Sequence, residues 1–175
     1  MFFHFANFDI FILQLIISIK SHKLKSKLQM YRVKKICLDE SIECHEIDLL
    51  TNKLWSLNQW KKELRKKYVY PFACFNNNRI IGVCVFQIIF SVAEITYFAI
   101  HPIHKRKGLG TTLLKETLKQ LKTFTLEKII LEVSEKNIAA RGFYHSFGFE
   151  TICIRKNYYR DGSNALLQEK KLLKK

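Results

Sequence analysis

The sequence predicts one α/β domain built on a mixed sheet, and three observations carry that expectation. From about residue 31 onward, short runs rich in Val, Ile, Phe and Tyr alternate with stretches whose apolar residues recur at helical spacing. Only six glycines and two prolines interrupt the 175 residues, and no repeat or internal linker is visible. Hydrophobic residues make up 48% and charged ones 26%, which suits a single packed core and excludes a disordered or collagen-like chain.

The elements follow in order. Val33–Leu38 reads as a first strand. Ser41–Leu50 and Leu54–Leu64 read as helices, with Ser56 an N-cap candidate for the second. Val69–Phe75, Ile80–Ile89 and Val92–Ile100 are strands, and Asn76-Asn77-Asn78 is a hairpin turn because Asn tolerates positive φ. Leu109–Lys122 is an amphipathic helix with Leu109, Leu113, Leu114, Leu118 and Leu121 inward and Lys115, Lys119 and Lys122 outward. Leu126–Val133 is a buried strand, Ile138–Phe147 a helix stopped by Gly148, and Phe149–Ile154 and Ala165–Lys171 are the last strands. The result is a mixed sheet of about seven strands flanked by about four helices. Residues 31–175 are read as this domain and residues 1–30 as an extension outside it.

The extension is apolar, then basic. Fourteen of Met1–Ile19 are apolar, and His4, Asn7, Gln14 and Ser18 fall on one narrow stripe of a helix. The longest unbroken apolar run, Ile10–Leu13, is far short of a membrane span, and no basic n-region or cleavage site marks a signal peptide. Seven Lys and Arg residues lie between Lys20 and Lys35. Such a segment suits contact of residues 1–35 with an anionic membrane surface, or packing on its own domain or a second subunit. The first 35 residues carry +6 of the formal net charge of +15 and the rest +9. With 23 Lys against 7 Arg, that excess reads as a compositional bias as readily as a site for an anionic partner, and no specific nucleic-acid site is visible. Five cysteines without CxxC spacing argue against zinc or a disulfide framework, and no metal is expected. A reducing compartment fits: the cytoplasm, or an organelle such as the plastid stroma.

The chemistry gathers after residue 90. Lys105-Arg106-Lys107-Gly108-Leu109-Gly110-Thr111 joins a strand to the start of an amphipathic helix, which makes an anion site of helix N–H groups and basic side chains. The spacing is neither GxxxxGK[ST] nor GxGxxG. In context it becomes specific. Glu94 through Gly110, with Leu131-Glu132-Val133-Ser134-Glu135-Lys136-Asn137 and Gly142-Phe143-Tyr144-His145-Ser146-Phe147-Gly148-Phe149, closely resembles the GNAT superfamily of acetyl-CoA-dependent N-acetyltransferases. Within it the chain is most similar to the RimI type, whose members acetylate the N-terminal alanine of a ribosomal protein. Arg155-Lys156-Asn157-Tyr158-Tyr159-Arg160-Asp161-Gly162 resembles that group's ending. The resemblance covers about residues 31–172 and is strong from 94 to 167; nothing in residues 1–30 matches.

The resemblance implies a GNAT-like fold, acetyl-CoA as cosubstrate and no metal. It assigns the pyrophosphate to the backbone of Arg106, Lys107, Gly108, Leu109, Gly110 and Thr111, and the acetyl and pantetheine groups to the main chain of Phe98, Ala99 and Ile100, with Asn137 as a further contact. Lys105 departs from the Gln or Arg that opens the family's loop motif, losing the planar fork of arginine. Glu132 is the implied base and Tyr144, twelve residues on, the implied acid. An α-amine with a pKa of about 8 is mostly protonated at neutral pH, so a base must take its proton before it attacks the thioester. A main-chain N–H near Ile100 then meets the oxyanion, Tyr144 protonates the leaving thiolate, and no covalent enzyme intermediate is needed. His101, His104 and His145 read as solvated or structural, and the cysteines as core fillers.

The acceptor is expected to be a protein N-terminus, with ribosome association. The alternatives are another amine (a lysine side chain, a polyamine, an aminoglycoside) or a noncatalytic ribosome- or membrane-associated module. Trp55, Tyr158 and Tyr159 are candidate acceptor contacts. Two departures fall on that side: the family's FPWS turn is Lys53-Leu54-Trp55-Ser56, and the acidic residue of its DAL motif is Asn164. A basic surface also repels a basic ribosomal protein unless acidic groups line the groove, although it favours docking near ribosomal RNA.

Overall fold

The computed structural model describes residues 31–172. The helix expected over Met1–Ile19 lies outside the described residues, and with it most of the segment expected to touch a membrane surface. Seven strands and four α-helices alternate as expected: β1 Tyr31–Lys35, α1 Ser41–Leu50, α2 Leu57–Leu64, β2 Val69–Asn76, β3 Arg79–Ile89, β4 Val92–Ile100, α3 Leu109–Gln120, β5 Lys128–Ser134, α4 Ile138–His145, β6 Glu150–Arg155 and β7 Ala165–Lys171. They form one sheet in the order β1-β2-β3-β4-β5-β7-β6, antiparallel throughout except for the β4–β5 pair.

The first strand begins two residues earlier than the sequence suggests. Tyr31–Lys35 pairs with Asn76–Phe72 at the sheet edge, so Arg32, Lys34 and Lys35 belong to the domain and not to a basic tail. Lys34 pairs with Glu40 at 3.7 Å and lies over the Phe75 ring, and Lys35 lies over Tyr70. Charge on an exposed edge discourages pairing with another chain.

Local signals fix most of the boundaries. Asn77 and Asn78 both take positive φ, 46° and 65°, the two-residue turn that matches strand twist. Ser56 Oγ accepts from Gln59 N–H while Gln59 Oε1 accepts from Ser56 N–H at 2.7 Å, a capping box that starts α2 at Leu57. Gly148, at φ 82°, ends α4, with Gly148 N–H donating to His145 and Phe149 N–H to Tyr144.

Two cores lie on the two faces of the sheet. The larger packs Leu109, Leu113, Leu114 and Leu121 of the α3 region and Tyr144 of α4 on Ile95, Ile100, Ile129, Leu131 and Val133. The smaller packs Cys44 and Ile47 of α1 and Trp60 of α2 on Ala73, Val83, Val85, Tyr97 and Ala99. Cys44, Cys74 and Cys84 are core residues whose thiols burial pushes up, to about 11 for Cys74.

Asp48, only 1% exposed, holds the smaller core to the loop after α1. Its carboxylate accepts from Leu54 N–H at 3.0 Å, Trp55 N–H at 2.7 Å and the Tyr97 hydroxyl at 3.0 Å. A buried carboxylate is tolerated when its lone pairs are met, and here three donors meet them. Asp48→Ala strands those donors in the core. The expected outcome is a loss of about 3 kcal/mol in the free energy of unfolding, read from urea denaturation by circular dichroism.

Candidate active site

The site begins where the sheet opens. β4 and β5 pair only from Val92–Ile95 to Lys128–Leu131. At the next residue, Thr96, the β3–β4 register shifts, so Val85 opposes Tyr97 while Phe86 opposes Ile95. A bulge of this kind bends a strand and increases its twist. Beyond it β4 follows β3 and leaves β5. His101 N–H donates to Ile81 at 2.8 Å, which by alternation commits residues 97, 99 and 101 to β3. Phe98 and Ile100 therefore turn their N–H and C=O groups toward the opening. Asn52 Nδ2, from the α1–α2 loop, donates to Phe98 O at 3.2 Å. Of the expected backbone contacts, Phe98 and Ile100 thus face the opening, and Ala99 faces β3 with its side chain in the smaller core.

The basic loop ends at one corner of this opening. Gly108, at φ 79°, is the N-cap of α3 and Arg106 also takes positive φ, 59°. No side chain caps the helix, so the N–H groups of Leu109, Gly110 and Thr111 point outward unmet by protein side chains. A Cβ on Gly110 reaches 3.5 Å from the Phe143 ring and 3.7 Å from that of Phe98, so packing permits a side chain here and the glycine instead keeps the helix start bare. Lys105, Arg106 and Lys107 are exposed and have no ion-pair partner among the described residues. His104 is held below its ordinary range by burial, then by Lys107 and His101, which favours its neutral form. Asn137 caps α4, its Oδ1 accepting from Ala140 N–H at 3.1 Å, which leaves Nδ2 for any further contact.

Glu132 and Tyr144 approach the opening from opposite faces. Ile129, Leu131 and Val133 turn into the larger core, so Glu132 emerges on the other face, 22% exposed on its side chain. Tyr144 is 7% exposed, among the rings of Phe143 at 5.1 Å, Phe149 at 5.7 Å and Phe98 at 6.2 Å. Burial pushes its phenol far above the ordinary tyrosine range, so it stays protonated and able to donate. Phe98 is thus shared: its main chain lines the opening and its ring meets the tyrosine.

Other charged groups gather around Glu132. Arg155 Nη1 lies 2.5 Å from Glu132 Oε1. Glu94 is raised above the usual glutamate value of 4.5, first by burial and then by Glu132, with Arg155 opposing. Tyr159 is raised by burial, then by Glu132 and Tyr158. Tyr158 and Tyr159 meet edge to face at 5.2 Å in the turn after β6, Tyr158 exposed and Tyr159 half-buried. Glu135 anchors that turn, its two oxygens accepting from Asn164 N–H and Nδ2 at 2.9 Å each, while Asn164 Oδ1 accepts from Asn157 N–H at 3.0 Å. Trp55 packs on Trp60 at 4.8 Å and Tyr97 at 5.2 Å, as part of the smaller core beside Asn52. Asn52, Glu94, Arg155 and Glu135 were not singled out from the sequence as site residues. Glu94, a carboxylate between Ala93 and Ile95, carried the same signal as Glu132 and was the one open to detection.

The site combines a strand bulge, a helix start without a side-chain cap behind a basic loop, and a carboxylate and a buried tyrosine on opposite faces of the sheet. Residues 32–149 match the profile of the acetyltransferase (GNAT) family. The chain belongs to this family. It is an N-acetyltransferase by its relatives' names, and so an acyltransferase. The [ribosomal protein bS18]-alanine N-acetyltransferase of Haemophilus influenzae is 35% identical over 105 residues, 60% of this chain and 70% of that protein. A Bacillus subtilis protein that carries the same name provisionally is 30% identical over 138 residues, 77% of this chain and 91% of its own length. The crystal structure of the corresponding Escherichia coli enzyme superposes with a TM-score of 0.75 at 24% identity, covering 80% of this chain and 92% of that one, which shows the shared fold. Among the described residues no cluster of His, Cys, Asp and Glu has the makings of a metal site, and no helix is long and apolar enough to cross a membrane.

The raised Glu94 fixes a sign for stability. The folded state holds the Glu94 proton to higher pH than the unfolded chain, so this contribution is present below pH 4.5 and is lost as pH rises through the folded value. Glu94→Gln therefore melts at a higher temperature than wild type at pH 7. The difference shrinks toward zero as the pH falls below 4.5, in thermal melts run in matched buffers.

Proposed function

We propose that this acetyltransferase uses acetyl-CoA to acetylate the N-terminal α-amine of a protein, with the first residues of a ribosomal protein as the acceptor class. The observation that carries the reading is the opening between β4 and β5, with a carboxylate on one side and a protonated phenol on the other. The similarity to enzymes named for bS18 alanine acetylation supports the acceptor class.

The residues present suit coenzyme A. The helix start of α3 and the three loop cations, which have no ion-pair partner among the described residues, offer N–H donors and positive charge to a pyrophosphate. When bound, the cosubstrate supplies an acetyl thioester. Phe98 and Ile100 hold its chain by strand-like hydrogen bonds in place of the missing β5 partner, and Asn137 adds Nδ2. Glu132 takes a proton from the acceptor ammonium, directly or through water, and leaves a neutral amine. An N–H of the β4 edge donates to the carbonyl oxygen on which charge develops. Tyr144 donates its phenolic proton to the departing sulfur; burial keeps that proton in place until then.

The acceptor side answers the charge objection. Glu94 and Glu132 present two carboxylates against one guanidinium, so this face is locally acidic although the chain as a whole is basic. A cationic N-terminus is attracted there.

Glu132→Gln tests the reading. Free-thiol release with acetyl-CoA and a panel of peptide N-termini, lysine side chains, polyamines and aminoglycosides is expected to favour the peptide N-termini. The variant is expected to fall about 10²- to 10⁴-fold in kcat/KM while its acetyl-CoA affinity holds. A panel won by a small amine overturns the acceptor, and an undiminished variant overturns the base.

A further inference from the structure

The ion pair at Glu132 joins two strands that flank a third, β7. Glu132 on β5 lies opposite Leu167 of β7, which lies opposite Cys153 of β6; Arg155 stands two residues further along β6. The two side chains together therefore bridge β7, across about two strand spacings or ~10 Å of sheet, to bring Arg155 Nη1 within 2.5 Å of Glu132 Oε1. Two lysines on or next to β5 are committed elsewhere: Lys128 pairs with Glu169 at 2.8 Å and Lys136 with Asp161 at 3.0 Å. Arg155 is thus the cation that the described residues bring against Glu132, and the same guanidinium opposes the ionisation penalty of Glu94.

Two features make the pair separable. The Arg155 side chain is 52% exposed on an edge strand. Its guanidinium carbon also lies 5.6 Å from the centre of the Tyr158 ring while the ion pair is made, so the guanidinium keeps a partner if the carboxylate is given up. An acceptor amine arrives as an ammonium and competes with Arg155 for the Glu132 carboxylate, since two cations close to one carboxylate repel each other.

We propose that Arg155 is a positioning residue of the acceptor site, holding the Glu132 carboxylate in place in the acceptor-free protein and drawing back onto the Tyr158 ring, which it already touches, when an acceptor ammonium takes its place. The proposal rests on the reading of Glu132 as the base. The groups that face Glu132 are Glu94 from β4, Arg155 from β6 and Tyr159 from the following turn. Without Arg155, two carboxylates share the site with no cation, and one of them keeps its proton to higher pH.

The test is the pH profile of kcat/KM from about pH 5 to 9 for wild type, Arg155→Met, Arg155→Lys and Arg155→Met with Glu94→Gln, using acetyl-CoA and a peptide N-terminus, with thermal melts to check folding. Arg155→Met is expected to move the acid limb up by about one pH unit, a roughly tenfold loss on the acid side that fades at alkaline pH. Adding Glu94→Gln removes the second carboxylate and returns the limb toward wild type, and Arg155→Lys, which keeps the charge, moves it less than Met does. A uniform loss with an unmoved limb, or a double variant as shifted as the single one, overturns the proposal. Undiminished activity of Glu132→Gln overturns instead the reading beneath it, whatever the Arg155 variants do.

Discussion

Everything in the candidate site follows from the early end of one parallel strand pairing. β4 and β5 share four registers and then separate at the Thr96 bulge. A sheet that stayed paired would bury the polar groups of Phe98 and Ile100 in ladder hydrogen bonds and leave no place for a thioester between the strands. The bulge also resets which residues face which way. Ala93 and Ile95 before it and Phe98 and Ile100 after it pack against the same core, although the alternation between them is broken by one residue. Tyr97 and Ala99 are thereby delivered to the smaller core. There Tyr97 donates to Asp48, and Asp48 in turn holds the loop carrying Asn52 and Trp55. One extra residue in a strand thus opens the sheet, exposes its edge and anchors a loop beside the exposed edge.

The charges divide along that opening. Lys105, Arg106 and Lys107 stand on the side of the uncapped helix start, where the dipole and the N–H groups already favour an anion. Glu94 and Glu132 stand with Arg155 on the other side, the one proposed for the acceptor. A formal net charge of +15 conceals this arrangement, because the functional quantity is the local sign at each mouth of the opening and not the sum. Burial sharpens both ends: it holds the Tyr144 proton in place on the core side and makes ionisation of the second carboxylate costly on the other.

The fold was legible because local signals and periodicity agreed. The Asn77-Asn78 turn, the Ser56 capping box and the Gly148 stop each specify backbone geometry within a few residues, and α3 shows its apolar stripe directly. β1 was displaced because Tyr31 and Arg32 look like the end of a basic tail; only their pairing with Asn76 and Phe75 makes them a strand. Glu132, Tyr144 and the loop are proposed as site residues from the family resemblance, which the residues themselves carry. Asp48, Asn52, Arg155 and Glu135 are not, because each acts through a partner 29 to 49 residues away or across a whole strand. Asp48 in particular sits in an unremarkable helical run, Ile47-Asp48-Leu49-Leu50, and owes its role to Tyr97 arriving from β4. Long-range pairings of this kind leave no local trace.

Asn164 shows how a departure from a family pattern changes meaning once its neighbours are known. In the sequence it replaces an acidic residue on the acceptor side and suggests a changed acceptor preference. In the structure its amide donates to one oxygen of Glu135 while its own N–H donates to the other. An aspartate at this position would set two carboxylates against each other at hydrogen-bond distance, and like charges that close cannot both ionise cheaply. Asparagine beside Glu135 removes that repulsion and still accepts from Asn157 N–H, which fixes the turn carrying Tyr158 and Tyr159. The substitution is therefore answered within the protein, and the proposed acceptor preference is to be sought instead in the half-buried charges of Glu94 and Glu132 and the arginine beside them.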